Sequence, residues 1–471
     1  MLVNKIAVYI NKIKFFLLFI TILFTYFISL YSGPVVSDEI QIKYNTRNIV
    51  INNNIGFSIS SDTGNWMRLA NKPSLLFEDK RFVNDRELTA GNVGLSKPAS
   101  FILVYILSQP IKFILNLLPL DNSNVISNVQ ESLNEGYRVG EIDQTVSDTV
   151  PNLNPFISTY MGWVVLNLII ISLSFFFFCK SLNISILKLS SYSNIGLWLG
   201  CFFIINDITK IYFISPNPAI FNLLASSLTI YSCSQIMDKC SINNLLKFSF
   251  IFGFLNLFYE IFFAPYSVLI LFYLKVMFID NQKKIFYFLN NSKFFLLSFI
   301  LFISPYVVWI FVTNYFFGGF FHFGIDDNPG FSILNNDFPS IVTRMISLGK
   351  YGYKLAILSS FPIIIILLFL IINNLINKNL YLLDKNYFFI FIAYSFIIFL
   401  FFSLFGQIGT RHTIGPILIL LPLIYYFLPK KIYENKSKII VLTAGFFFIY
   451  SIYVARKTFP FGEGHLLNPF I

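Results

Sequence analysis

Nine stretches of the chain run about 20 residues with almost no charge: 13–32, 156–179, 192–214, 219–237, 293–316, 353–376, 387–405, 413–429 and 438–455. An α-helix of that length spans the hydrocarbon core, where no water is present to satisfy an exposed peptide group. Repeated this often, such stretches restrict the fold to a bundle of spanning helices. A further apolar stretch, 245–279, is too long for one span. Glu260 and Pro265 lie at its centre in FYEIFFAPYS, so it reads as two helices meeting at a membrane surface. The expectation is an all-α polytopic membrane protein with about 11 transmembrane helices, built as a single polytopic domain over 1–471.

Composition agrees. The chain is 56% hydrophobic and 12% charged, which is outside the range of soluble domains. A net charge of +11 is what basic cytoplasmic loops would supply, so it does not imply a nucleic-acid partner, and none is expected. Cys179, Cys201, Cys233 and Cys240 lie in or beside apolar segments without CxxC spacing. They read as small buried side chains, not as redox or metal ligands. The run 13–32 is too long for a signal-peptide core and no small-x-small site follows it, so it reads as a retained anchor.

Segment 97–118, KPASFILVYILSQPIKFILNLL, is apolar enough to span. However, Ser100, Ser108, Lys112 and Asn116 recur at four- or eight-residue spacing on one helical face, and Pro110 interrupts the middle. A polar stripe with a central proline suits an amphipathic helix lying in the interface. Charge supports that choice. With the N-terminus cytoplasmic and 97–118 interfacial, the inner loops hold Lys180, Lys188, Lys239, Lys247, Lys275, Lys283, Lys284, Lys293, Lys378, Lys385, Lys430, Lys431, Lys436 and Lys438. If 97–118 spanned, each of these loops would flip outward. In the same arrangement Arg47, Arg68, Arg81, Arg86, Arg138, Arg344, Arg411 and Arg456 all fall outside, as do His322, His412 and His465. Lysine serves for anchoring, whereas the arginine fork suits phosphate and carboxylate. The polar chemistry is therefore expected on the outer side.

Three outer segments and a tail follow. The first extracytoplasmic loop is 33–155 and contains the interfacial helix; the second is 317–352; a short one covers 406–416; the tail 456–471 is extracytoplasmic. No internal repeat is evident, although many transporters carry one.

The candidate residues lie near these boundaries. Asp38 and Glu39 follow the first span, where partial desolvation raises a carboxylate's basicity. They are either the start of a solvated loop, or a general base for an acceptor hydroxyl, or a pair holding a divalent cation against a phosphate. Lys97, with Arg86 upstream, either anchors the helix that follows or faces anionic head groups. Arg411 and His412 sit where a span re-enters the membrane, so Arg411 either snorkels or bonds a lipid phosphate. Glu260 either caps an outer turn or faces a central cavity. Asp207 and Lys210 have the spacing of a simple pair, and His322, Asp326 and Asp327 read as a solvated loop.

Taken together these parts resemble the GT-C type of integral-membrane glycosyltransferases. Asp38-Glu39 matches the acidic motif early in the first loop of that group. Lys97-Pro98 matches the start of its amphipathic helix, and 97–118 the helix itself. Thr410-Arg411-His412 with Pro416 and Pro422 is similar to its late Arg-aromatic motif, with His in place of Tyr. Ser215-Pro216-Asn217-Pro218 is similar to its turn before a span, while Glu260 stands where a basic residue is common. The resemblance implies a polyprenyl-phosphate-linked sugar as donor and a lipid, glycan or protein acceptor. The enzyme would sit in the cell (inner) membrane and act on its outer face. It implies Asp38 as base or metal ligand with Glu39 as helper, a Mg or Mn ion as the candidate cofactor, and Arg411, His412, Lys97 and Arg86 as donor-phosphate ligands. Two rival functions remain: a glycan polymerase relying on outer arginines such as Arg344 and Arg411, and a non-catalytic transporter of lipid-linked glycans. The nearly uncharged span centres argue against the transporter.

Overall fold

The computed structural model describes residues 19–24, 46–52, 55–60, 66–67, 69–76, 98–117, 153–185, 199–200, 203–206, 209, 212–213, 215–280, 285–317, isolated positions between 339 and 372, 385–404 and 410–423. Among the described residues, five helices are long and apolar enough to cross a membrane by length and composition: Pro98–Leu117, Ile157–Leu182, Pro218–Asp238, Glu260–Ile279 and Ser292–Val312. The chain is a helical membrane protein. Most of 13–32 and 353–376, and all of 438–455, lie outside the described residues.

One short hairpin accompanies the helices. Strand β1 (Thr46–Asn52) pairs antiparallel with β2 (Ile55–Ser60), with Thr46 opposite Ser60 and an irregularity between Val50 and Asn52. Thr46, Ile49, Val50 and Ile51 are β-branched and favour extended backbone. Hydropathy summed over span-length windows is blind to strands this short.

The helices are α1 (Pro98–Leu117), α2 (Leu153–Ser185), α3 (Phe221–Asp238), α4 (Ile242–Asn256), α5 (Phe263–Lys275), α6 (Ile285–Phe317), α7 (Lys385–Leu404) and α8 (Thr410–Leu418). Their starts are set locally. Asn217 accepts from the Ala219 amide at 2.8 Å and Pro218 opens the short 3-10 turn leading into α3. Ser241 caps α4 by accepting from the Asn244 amide at 3.2 Å. Between α4 and α5 the chain turns over Leu257–Phe262, so 245–279 is indeed two helices.

Helix α3 is the hub, buried along nearly its whole length. It packs against α2, α5 and α8, with smaller contacts to α4 and α7. Its polar side chains do not need outside partners. Ser226, Thr229 and Ser234 donate to carbonyls four residues back at 2.9, 2.7 and 2.8 Å, and Ser227 and Ser232 to carbonyls three back at 3.0 and 3.1 Å. These are small residues, so neighbouring backbones approach closely. Glycines mark other close crossings. A Cβ on Gly253 of α4 would collide with the Phe302 backbone of α6, and one on Gly415 of α8 would lie 2.7 Å from the Ser226 hydroxyl.

Contacts fix the helix directions. Ser249 and Ser298 hydroxyls meet at 2.7 Å and Gly253 meets Phe302, so α4 and α6 run parallel. Tyr266 stacks on Phe302 (4.0 Å, 4°) and Tyr273 lies against Phe295, so α5 runs antiparallel to α6. Phe263 meets Phe401 and Phe272 meets Phe389, so α5 is also antiparallel to α7. Lys180, Lys239, Lys247, Lys275, Lys293 and Lys385 consequently gather towards one end of the bundle. Lys180 lies over the rings of Phe176 and Tyr231, and Lys275 bonds Asn386.

Gly253→Ala is expected to destabilise the bundle by about 1–3 kcal/mol, because backbone cannot yield as a side chain can. Gly415→Ala, which meets only a serine hydroxyl, is expected to cost less. Thermal midpoints of the purified variants check the order; equal midpoints would refute it.

Candidate functional site

The end of the bundle away from the lysines gathers several of the sequence motifs. Its centre is the Leu257–Phe262 turn. The start of α1 hangs on it: the Ala99 amide donates to the Leu257 carbonyl at 3.3 Å, and the Ser100 hydroxyl to the Phe258 carbonyl at 2.7 Å. The residue before α1 is Lys97. Thus the start of α1 at Pro98 and the Glu260 turn, far apart in the chain, are neighbours. Glu260 is half-buried with its Oε2 enclosed, and it lies within electrostatic reach of Tyr306 on α6.

Phe221, the first residue of α3, contacts Phe258 and Phe262 with ring centroids at 5.7 and 6.2 Å. This brings the Ser215-Pro216-Asn217-Pro218 turn beside the Glu260 turn. That turn is held from the other side by Asn167 of α2. Its amide nitrogen donates to the carbonyls of Tyr212, Phe213 and Ser215 at 2.7, 3.3 and 2.8 Å. The two N–H donors of one buried amide are thus shared among three carbonyls of this segment.

Helix α8 starts at the same end, since it follows the Phe401 end of α7 and runs back along α3. His412 is 3% exposed and Thr413 is fully buried, while Gly415 packs between Ser226 and Tyr394. The backbone of Arg411 occupies the first turn of α8; its side chain lies outside the described residues. Asp38, Glu39, Arg86, Lys97, Asp207, Lys210, His322, Asp326 and Asp327 also lie outside them. Of the expected site residues, Glu260 and His412 are described, and both lie at this end of the bundle, as do Pro98 after Lys97 and the backbone of Arg411. Among the described residues no three His, Cys, Asp or Glu side chains cluster as metal ligands.

Half of the polar stripe of 97–118 is turned into the bundle, while Lys112 is half-buried and Asn116 exposed. The helix is continuous through Pro110. Ser100 and Ser108 are buried rather than facing head groups, and Val104 and Ser108 close over Gly162 of α2. Phe101 meets Trp163 edge-on at 6.0 Å, and Asn154 bonds Asn116 at 3.0 Å, so α1 runs antiparallel along the first turns of α2. Ile106, Phe113, Ile114 and Leu117 form the exposed, apolar side. Small polar residues on a helix face mark close packing as readily as an aqueous surface. Near the proline, the Ser108 hydroxyl and Gln109 amide donate to the Tyr105 carbonyl at 2.7 and 3.2 Å.

Two contributions have no motif in the sequence. Trp66, Met67, Leu69 and Ala70 of the first loop are buried in the core, with Asn71 accepting from Thr159 at 3.4 Å. Asn167 was hidden as one amide within an apolar span. No family model matches the chain, and neither a curated protein nor a solved structure resembles it significantly.

Asn167→Leu keeps the side-chain size and removes all three donated bonds. It is expected to lower stability by about 1–3 kcal/mol, more than Ser100→Ala, which loses one. Thermal midpoints and the rate of proteolysis near residue 215 report the difference. Unchanged values for Asn167→Leu would mean that the clamp does not hold the turn.

Proposed function

We propose that this protein is a GT-C type membrane glycosyltransferase that transfers a sugar from a polyprenyl-phosphate donor to an acceptor hydroxyl on the outer face of the membrane. The observation that carries the reading is the convergence at one end of the bundle: the start of α1 at Pro98, the Glu260 turn, the Pro216–Pro218 turn and His412 at the head of α8. Three of these are positions of motifs that resemble that group; at the fourth, Glu260 stands where a basic residue is common. Lysines at the opposite end agree with a cytoplasmic side there, which turns the Glu260 end outward. The exposed apolar side of α1 suits lipid contact beside the site.

In this reading Asp38, assisted by Glu39, takes the proton of the acceptor hydroxyl. The acceptor oxygen forms its bond to the anomeric carbon as the bond from that carbon to the phosphate oxygen breaks. The electron pair leaves with polyprenyl phosphate. Arg411, His412, Lys97 and Arg86 hold the phosphate and stabilise the charge that develops on it. Glu260 faces the reaction space and orders these cations. A divalent cation such as Mg or Mn, bound at Asp38, would offset phosphate charge. The tail of the donor lies against the apolar helices.

Asp38→Asn is expected to lower release of polyprenyl phosphate from the preferred donor by about 10²–10⁴-fold with folding intact, while Arg411→Ala weakens donor binding. Turnover by purified protein over a panel of lipid-phosphate sugars measures both. Wild-type activity in Asp38→Asn would sink the proposal; loss of activity in Arg344→Ala and Arg411→Ala alone would point to a glycan polymerase instead.

A further inference from the structure

Three polar atoms in the α2 region are fully enclosed and have no hydrogen-bond partner among the described residues: Trp163 Nε1, Asn167 Oδ1 and Thr209 Oγ1. Each of the three residues is 0% exposed. They are close in the fold. Trp163 and Asn167 lie four residues apart on one face of α2. Asn167 uses its amide nitrogen on Tyr212, Phe213 and Ser215, which leaves its oxygen beside that segment. Thr209 stands one turn earlier in the same segment, its carbonyl accepting from the Phe213 amide at 3.0 Å. Burying a polar group without a partner is costly, and three together are a heavy load on one small region.

The set is also chemically complementary. The indole N–H only donates, the amide oxygen only accepts, and the threonine hydroxyl does either. We propose that Trp163, Asn167 and Thr209 form an internal site for a single uncharged hydroxyl-bearing ligand. That ligand accepts from Trp163 and donates to Asn167, with Thr209 completing its third bond. About three hydrogen bonds is what a buried water makes, and a ring hydroxyl of a sugar has the same chemistry. None of the three side chains carries charge, so an anionic group gains no ion pair from them. On the α1 side, Phe101 covers Trp163. This inference does not depend on the proposed transferase activity.

Indole-labelled full-length protein in lipid nanodiscs reports the site directly. Trp163→Phe identifies the Trp163 N–H resonance. In ligand-free protein that resonance is expected at a hydrogen-bonded position and to move in Thr209→Val while the other indole signals stay fixed; this outcome identifies water. If it takes that position only when a polyprenyl-phosphate sugar is added, the hydroxyl belongs to the ligand. A resonance at a free N–H position under both conditions, or unmoved by Thr209→Val, overturns the site. The thermal midpoint supplies a second readout. Trp163→Phe with Thr209→Val is expected to lose less than the sum of the single losses, because both remove bonds to one occupant; strict additivity counts against it.

Discussion

Lipid gives helices little hydrophobic reason to associate, so the bundle depends on how closely its backbones approach. Helix α3 provides that approach. Its hydroxyls are turned back onto its own carbonyls, which leaves a slender, internally satisfied rod with other helices on several sides. Gly415 of α8 seats directly on Ser226, and at Gly253 and Gly162 the same device repeats in α4–α6 and α1–α2. A larger residue at Gly253 or Gly162 would push against backbone of the neighbouring helix, whereas at Gly415 it would meet side chains.

This packing has a consequence for the candidate site. Close helices bring their connecting turns together, so segments far apart in sequence meet at one end. The Glu260 turn is tied to α1 by two hydrogen bonds and to α3 by two aromatic contacts. Asn167 braces the adjoining Pro216–Pro218 turn. Irregular backbone within a membrane protein needs such partners, since its carbonyls lack helical donors. Bracing of this kind would serve the proposed transfer reaction, since positioning is most of what such a centre contributes.

Much of the scaffold was legible from the sequence. Hydropathy located α2, α3, α6 and α7, and Glu260 with Pro265 revealed the break inside 245–279. The clustering of lysines at one end also follows from their positions at helix ends. Other features were ambiguous for physical reasons. Ser100 and Ser108 form a stripe whether they face head groups or a packed glycine, and only the position of Gly162 separates the two. The β1–β2 hairpin is too short for span-length hydropathy. Asn167 and the Trp66–Ala70 segment act through residues distant in the chain, so nothing local announces them. The acids at Asp38 and Glu39, which carry the chemical proposal, lie outside the described residues.

The central claim is that the start of α1 is held against the Glu260 turn. Cysteines replacing Ala99 and Leu257, in a background lacking Cys179, Cys201, Cys233 and Cys240, test it in intact membranes. Rapid closure by a short bifunctional thiol reagent is predicted, with no closure when the second cysteine replaces Leu297 on the exposed side of α6. Failure to link positions 99 and 257 while the protein remains folded would contradict the account.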